Sequence, residues 1–121
     1  IGVDASGTSG YDNGDGADHN MVRAAAEQGI DLSDLVSRRL VVGDFTRFDL
    51  LVAMDSSNER GIERLRPAGS PTPVVRFMDF VPDARSRDVP DPYYGGMDGF
   101  RDVVDLIRAG CGPLVEHVLA L

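Results

Sequence analysis

Leu50-Leu51-Val52-Ala53-Met54 is the stretch of sequence that decides the fold. These residues form a continuous apolar run and not an alternating one, which is the pattern of a parallel strand covered on both faces. A polar segment follows at once, in which Ser56 and then Glu59 fit a capping box, and this predicts a helix from about Ser57 to Arg66. The run therefore predicts one strand-to-helix unit of an α/β fold.

The rest of the chain repeats this alternation. Strands are predicted at Ile1–Asp4 and Pro73–Phe77, and helices at about Asp18–Gln28 and Met97–Leu119. Strands that alternate with helices imply a parallel sheet with helices on its faces. The residues predicted to face the core are apolar and recur at helical spacing: Met21, Val22, Ala25 and Ala26 in the first helix, and Phe100, Val103, Val104, Ile107 and Leu114 in the last.

Length and composition limit the classes of protein. The chain has 121 residues and a net charge of −8, which fits a single domain spanning 1–121. An acidic surface disfavours nucleic acid and anionic membranes as partners, because both bind basic patches. No apolar run is long enough for a membrane span and no signal-peptide pattern is present, so we expect a cytoplasmic protein.

Polar loops follow the predicted strands. Ligands of parallel α/β sheets bind outside the carboxyl ends of the strands. The loops after Val3, after Met54 and after Phe80 would all lie at that end. We therefore expect these three loops to form one site.

The segment Asp88–Gly96 has two interpretations. Asp91 stands between Pro90 and Pro92, and Tyr93 and Tyr94 follow directly. A carboxyl group held this stiffly can protonate a departing oxygen, and phenol rings beside it can wall a pocket for an aromatic substrate. A surface turn rich in Pro and Gly is the other interpretation, and the residue pattern by itself favours it.

The remaining residues with reactive side chains favour structural roles. Cys111, the single cysteine, falls in the apolar period of the last helix, where a cysteine is usually a small buried hydrophobe. Gly110, Gly112 and Pro113 are predicted to break that helix into two pieces. His19 and His117 are expected to be solvated or locally paired, and no metal site is predicted. The carboxylates Asp12, Asp15 and Asp18 lack the bidentate Glu of a calcium loop.

Three motifs carry a family resemblance. They are Val3–Thr8, Phe48–Asn58 and Asp91-Pro92-Tyr93-Tyr94-Gly95-Gly96. Together they resemble the low-molecular-weight protein tyrosine phosphatase family, and its bacterial members in particular. The similarity extends over the whole chain, in order and with the family's spacing.

The resemblance implies a fold and an activity. The family's fold is a three-layer α/β sandwich with a parallel four-stranded sheet. Its activity is hydrolysis of phosphotyrosine proteins or small aryl phosphates through a phosphocysteine intermediate, without metal or organic cofactor. Asp91 matches the general acid, Tyr93 and Tyr94 match the tyrosine pair at the mouth of the active site, and Tyr11 matches an aromatic residue on the opposite wall.

Two further matches to the family are structural. Asp55, Ser57 and Asn58 match the strand-end motif, which we interpret as a cap and hydrogen-bond anchor behind the site. Arg38 matches the arginine of another family motif. The histidine that usually stands three positions before that arginine, where it braces the phosphate-binding loop, is Leu35 here.

The largest departure concerns the nucleophile. Family members begin with a strand running into a Cys-x5-Arg loop, and this sequence contains none, since Cys111 is followed six positions later by His117. In the family that first strand lies in the centre of the sheet. We therefore expect a truncated domain, with the nucleophile encoded upstream of Ile1 or the sheet completed by another chain.

Several functions remain open besides an active tyrosine phosphatase. One is a catalytically inactive, phosphatase-like binding module or fragment. Arsenate reductase chemistry is disfavoured, because it needs resolving cysteines. A phosphoarginine phosphatase is compatible with the fold, although the Tyr93-Tyr94 pair favours a phenyl phosphate.

Overall fold

The computed structural model describes residues 2–8, 19–31, 38–90 and 96–121. It has a parallel two-stranded sheet with helices around it, which confirms the α/β class. In chain order the elements are α1 (His19–Ala26), α2 (Asp44–Arg47), β1 (Leu51–Ala53), α3 (Ser56–Leu65), β2 (Val74–Arg76), a 3-10 turn (Phe77–Phe80) and α4 (Gly96–Leu119).

The strands β1 and β2 form where the apolar runs predict them. They pair in parallel, with Leu51 opposite Val74 and Ala53 opposite Arg76. Both observed strands are shorter than the predicted ones at each end. At the carboxyl edge of the sheet, β1 leads into α3 and β2 leads into the 3-10 turn.

The strand predicted at Ile1–Asp4 is wrong in its described part. Residues 2–4 are not a strand, and the parallel contact lies further along, between Gly7 and Arg39. There the Gly7 amide donates to the Arg38 carbonyl at 2.8 Å, and the Leu40 amide donates to the Gly7 carbonyl at 2.9 Å. Within the described part of the chain, the backbone of residues 2–4 pairs with no other segment.

Two apolar clusters form the core of the described part. One joins the sheet to α2 and α3, and the other joins α1 to α4. On α1 the buried alanines are Ala24 and Ala25, and the predicted Ala26 is exposed, so the face toward α4 is rotated from the expected one. The first cluster contains Leu40, Phe45, Leu51, Ala53 and Ile62, and the second contains Ala24, Ala25, Phe100 and Val104.

The caps of α1 and α3 are well defined. Gly29 ends α1 with a positive φ of 76°, as the sequence predicts. For α3 the predicted capping box is wrong: Asp55 is the N-cap and accepts a hydrogen bond from the Asn58 amide at 2.7 Å. Glu59 does not close a box, because its carboxylate pairs with Arg76 at 2.8 Å.

The predicted break in α4 is also wrong. The helix runs without interruption from Gly96 to Leu119 and contains Pro113. Gly110 is buried, and a Cβ there would lie 2.6 Å from the Phe77 ring, so the helix rests closely on the 3-10 turn at that point. This contact lies three residues before the proline, and the contact of His117 with the Phe80 ring lies four residues after it. In the described part of the chain no helix is long and apolar enough to cross a membrane.

Candidate active site

Loops that follow two strands meet at the carboxyl edge of the sheet. The amide of Val89, in the loop after Phe80, donates to the carbonyl of Met54 at the end of β1 over 2.8 Å. The side chain of Asn58 at the start of α3 lies 3.5 Å from the Thr8 hydroxyl, to which it donates. The loops after Met54 and after Phe80 therefore meet as expected. Of the expected third loop, Thr8 lies beside α3, and residues 9–18 are outside the described residues.

Asp88 fixes the loop after Phe80 to the N-terminus of α3. Its Oδ1 accepts from the Ser56 amide at 3.0 Å, and its Oδ2 accepts from the Ser56 hydroxyl at 3.3 Å. The Asp88 amide in turn donates to the Ser86 hydroxyl at 3.1 Å. A carboxylate at the first amides of a helix satisfies an unpaired donor and interacts favourably with the helix dipole.

Arg76 joins three elements from the end of β2. Its side chain is only 10% exposed. Nε donates to Glu59 of α3 at 2.8 Å, and Nη1 donates to Asp88 at 2.9 Å and to the Arg87 carbonyl at 3.1 Å. The guanidinium thus holds the loop segment 87–88 against the sheet edge by charge-assisted hydrogen bonds.

Arg38 forms a second ionic cluster near the start of the chain. It bonds the Asp44 carboxylate through both terminal nitrogens, at 3.0 and 3.1 Å, and donates from Nε to Asp4 at 3.0 Å. Asp44 is 2% exposed. Burial by itself raises the pKa of Asp44, but the hydrogen bonds from Arg38 and the Val41 amide outweigh it and hold that pKa below its usual value.

An open groove lies beside the sheet edge. It has a volume of about 640 Å³, and residues 2–6, residues 50–52 and Met54 are among those that line it. Its lining is mostly apolar and includes Ile62, Phe77, Ile107 and Leu114. Val3 and Met54 on its rim are exposed. An apolar groove this large on a small domain is typical of a surface that another segment covers.

Cys111 lies in this groove and not in the core. The sequence predicts a buried cysteine, but the residue is exposed and lines the groove on α4. The prediction is wrong because only part of the apolar face of α4 packs in the core. Phe100 and Val104 pack on α1, whereas Ile107 and Leu114 line the groove together with Cys111. His117 contacts the Phe80 ring, with centroids 5.2 Å apart, which agrees with a locally paired histidine.

The predicted substrate and catalytic residues fall outside the described residues. These are Asp91, Tyr93, Tyr94 and Tyr11, and the same holds for Leu35 and for Asp12, Asp15 and Asp18. The structural matches lie within the described part: Asp55 and Asn58 form the cap that the strand-end motif predicts, and Arg38 is the centre of an ionic cluster. No group of three potential metal ligands occurs among the described residues.

Sequence reasoning missed the ion pairs of Arg76 and Asp44. A signal for the first was available, because Arg76 interrupts the apolar run from Val74 to Met78. A charged residue in a buried strand is almost always paired. Its partners Glu59 and Asp88 lie 17 and 12 positions away, so their pairing depends on the register of the sheet.

The chain matches the model of the family described as low molecular weight phosphotyrosine protein phosphatase over residues 1–120. It is 35% identical to a low molecular weight protein-tyrosine-phosphatase of Streptomyces coelicolor over 96% of this chain and 72% of that protein. It is 40% identical to a low molecular weight phosphotyrosine protein phosphatase of Schizosaccharomyces pombe, over 83% of this chain and 64% of that protein.

Solved structures of similar proteins also match this chain over most of its length. A crystal structure of a protein tyrosine phosphatase from Entamoeba histolytica superposes with a TM-score of 0.87 at 32% identity, covering 95% of this chain and 73% of that one. The YfkJ protein of Bacillus subtilis superposes with a TM-score of 0.81 at 26% identity, over 97% of this chain and 72% of that one. The chain belongs to the low molecular weight phosphotyrosine protein phosphatase family.

Proposed function

We propose that the protein is a tyrosine phosphatase of the bacterial type, with Asp91 as its general acid. The observation that carries this proposal is the attachment of the segment before Asp91 to the carboxyl end of β1, through Val89 and Met54. Ligands of parallel α/β sheets bind at that edge. A carboxyl group two residues beyond Val89 is well suited to act there.

The proposed reaction has two steps. A cysteine thiolate attacks the phosphorus of an aryl phosphate, the bond from phosphorus to the phenol oxygen breaks, and the proton of Asp91 passes to that oxygen. In the second step the Asp91 carboxylate takes a proton from water, the oxygen of that water attacks the phosphocysteine, and phosphate and thiolate are released. General acid and base catalysis of this kind contributes about 10²- to 10⁴-fold to the rate.

We further propose that a segment outside the 121 residues supplies the thiolate. The only cysteine, Cys111, lies on α4 without an arginine six positions later. The groove lined by residues 2–6 and 50–52 has the apolar surface that a strand and a helix would cover. Such a segment, joined in the same polypeptide or supplied by another chain, would carry the Cys-x5-Arg loop to the sheet edge.

For the substrate we propose phosphotyrosine proteins or small aryl phosphates. Tyr11, Tyr93 and Tyr94 would wall the pocket, because aromatic rings pack favourably against a phenyl ring. Phosphoarginine offers no ring for this contact. Hydrolysis of a phosphotyrosine peptide at a higher kcat/KM than a phosphoarginine peptide would support the aryl preference.

The test is phosphatase activity of the full-length protein, meaning the natural polypeptide that contains these 121 residues. We expect hydrolysis of phenyl phosphate, and we expect Asp91→Ala to lower kcat by about 10²-fold or more, the usual loss on removal of a general acid. Unchanged turnover in Asp91→Ala would remove Asp91 from this role. Tight binding of a phosphotyrosine peptide without any turnover would instead establish an inactive binding module.

The 121-residue chain on its own tests the role of the groove. Without a covering segment the groove leaves apolar side chains in water, which lowers stability. We expect this chain to unfold at a lower temperature, and less cooperatively, than the full-length protein. A stable monomer with a sharp thermal transition would contradict the proposal that the groove is covered by a further segment.

A further inference from the structure

We propose that Asp88 and Arg76 are positioning residues for the general acid, so that proton delivery to the leaving group depends on their ion pair. This inference rests on the proposed function, in which Asp91 is the acid. It concerns a contact 2.9 Å long between the end of β2 and the loop after Phe80. Neither residue would touch the substrate.

The contacts of Asp88 show how firmly the loop is held. Both carboxylate oxygens are used: Oδ1 accepts from the Ser56 amide and from Arg76, and Oδ2 accepts from the Ser56 hydroxyl. Arg76 adds a bond to the Arg87 carbonyl. The side chain of Asp88 thereby ties its own loop to the N-terminus of α3 and to the end of β2 at once.

Glu59 fixes the orientation of the guanidinium. It accepts from Nε of Arg76 at 2.8 Å, which leaves Nη1 directed at Asp88 and the Arg87 carbonyl. Because the Arg76 side chain is 10% exposed, it has little freedom to turn toward water. A guanidinium held in this way presents its donors in a preorganised geometry.

Only Val89 and Pro90 separate Asp88 from the proposed general acid, Asp91. Asp91 follows Asp88 by three residues, and three residues of extended chain span at most about 11 Å. The Val89 amide is bonded to Met54, and Pro90 fixes its own φ and restricts the residue before it. Few rotatable torsions therefore separate the anchor from the carboxyl group that it would position.

Loss of the anchor should affect proton delivery more than binding. A displacement of about 1 Å at a reacting group can cost about 10²-fold in rate. The loss should depend on the leaving group, because phenol leaves poorly without a proton and 4-nitrophenol leaves readily. We expect Asp88→Ala in the full-length protein to lower kcat/KM for phenyl phosphate by about 10- to 100-fold, and for 4-nitrophenyl phosphate by less than about 5-fold. The ratio kcat/KM is the measure because it reports the first step, whereas kcat also contains the hydrolysis of the phosphocysteine, which both substrates share.

Three further variants complete the experiment. Asp88→Asn keeps an oxygen that can accept from Ser56, so it should restore part of the lost rate. Asp79→Asn is the matched control, since it removes an exposed ion pair to Arg87 of the same loop and should leave both substrates unaffected. Asp91→Ala shows the leaving-group dependence that loss of the acid itself produces.

The outcomes separate the two proposals. If Asp91→Ala slows phenyl phosphate selectively and neither Asp88 variant does, the proposed function stands and the positioning role is overturned. Equal slowing of both substrates by Asp88→Ala and Asp88→Asn would also overturn it, because that is the effect of a merely structural residue. If Asp91→Ala lowers kcat/KM equally for the two substrates, the acid assignment fails and the positioning role fails with it.

Discussion

Arg38 and Asp44 form a bidentate ion pair in which the carboxylate is almost fully buried and the guanidinium is partly exposed. The side chains are 3% and 30% exposed, and the shorter of the two bonds measures 3.0 Å. The Val41 amide donates a third hydrogen bond to the same carboxylate at 2.9 Å. The pair thus fixes the chain entering α2 next to the strand contact at Gly7.

Replacement of Asp44 should destabilise the fold. Asp44→Ala leaves the Val41 amide without an acceptor and Arg38 without its main partner, which should lower the free energy of unfolding by about 2–4 kcal/mol. Glu63→Ala is the matched control, because it removes an exposed pair with Arg66 and should cost less than about 1 kcal/mol. Urea denaturation of the full-length protein measures both values. Equal losses in the two variants would contradict the structural role of Asp44.

The same pair predicts a dependence of stability on pH. The pKa of folded Asp44 lies below its ordinary value of 3.8, so folding favours the charged form. Its stabilising effect is complete above the pKa of the unfolded chain and is lost as pH falls through the lower, folded value. The difference in unfolding free energy between the natural protein and Asp44→Asn should therefore be constant above about pH 5 and shrink below about pH 4. A difference that grows on acidification would contradict this sign.

Elements with local signals could be predicted from the sequence. The apolar run at Leu50–Met54 became β1, and Gly29 ended α1, because each depends on neighbouring residues alone. The capping-box pattern places the N-cap of α3 one residue late, at Ser56, since Asp55 and Ser56 are both good N-cap residues and only the backbone decides between them. The short helix α2 was not predicted, because four residues carry no periodicity.

The ionic contacts of the site could not be predicted in the same way. The motif around Asp91 pointed to the carboxyl edge of the sheet, and the loop before it is attached there. Asp88, in contrast, acquires its role only when β2 pairs with β1 and brings Arg76 beside α3. Sequence spacing does not show such partners, because they come from separate elements.

Gly61 should be required by the close approach of Thr8. A Cβ at Gly61 would lie 2.8 Å from Cβ and from Cγ2 of Thr8, whereas real Cβ contacts are longer. We expect Gly61→Ala to destabilise the protein by about 1–3 kcal/mol, even though alanine favours a helix. Gly43→Ala is the control, because its φ is −60° and nothing lies within 4 Å of the added carbon.

Equilibrium urea denaturation of the full-length protein compares these two glycine variants. The control should stay within about 0.5 kcal/mol of the natural protein. The variant Gly61→Ala combined with Thr8→Gly should recover part of the loss, because the clashing side chain is then absent. A stability gain in Gly61→Ala alone would show that Thr8 does not pack on α3 in solution.

Pro113 lies inside α4 and should lower the stability of that helix. A proline there cannot donate to the carbonyl four residues earlier, and its ring crowds that carbonyl, so an interior proline costs about 3 kcal/mol relative to alanine. The helix continues through it because Gly110 rests on Phe77 and because residues on both sides face the same groove. We therefore expect Pro113→Ala to raise the unfolding free energy by about 1–3 kcal/mol.

Glu116→Ala, at an exposed position one turn later, measures the ordinary effect of alanine in this helix and should change stability by less than about 0.5 kcal/mol. Thermal unfolding of the full-length variants decides the point: a melting temperature for Pro113→Ala at or below that of the natural protein would mean that the proline is accommodated without cost, as it would be at a true break between two helices.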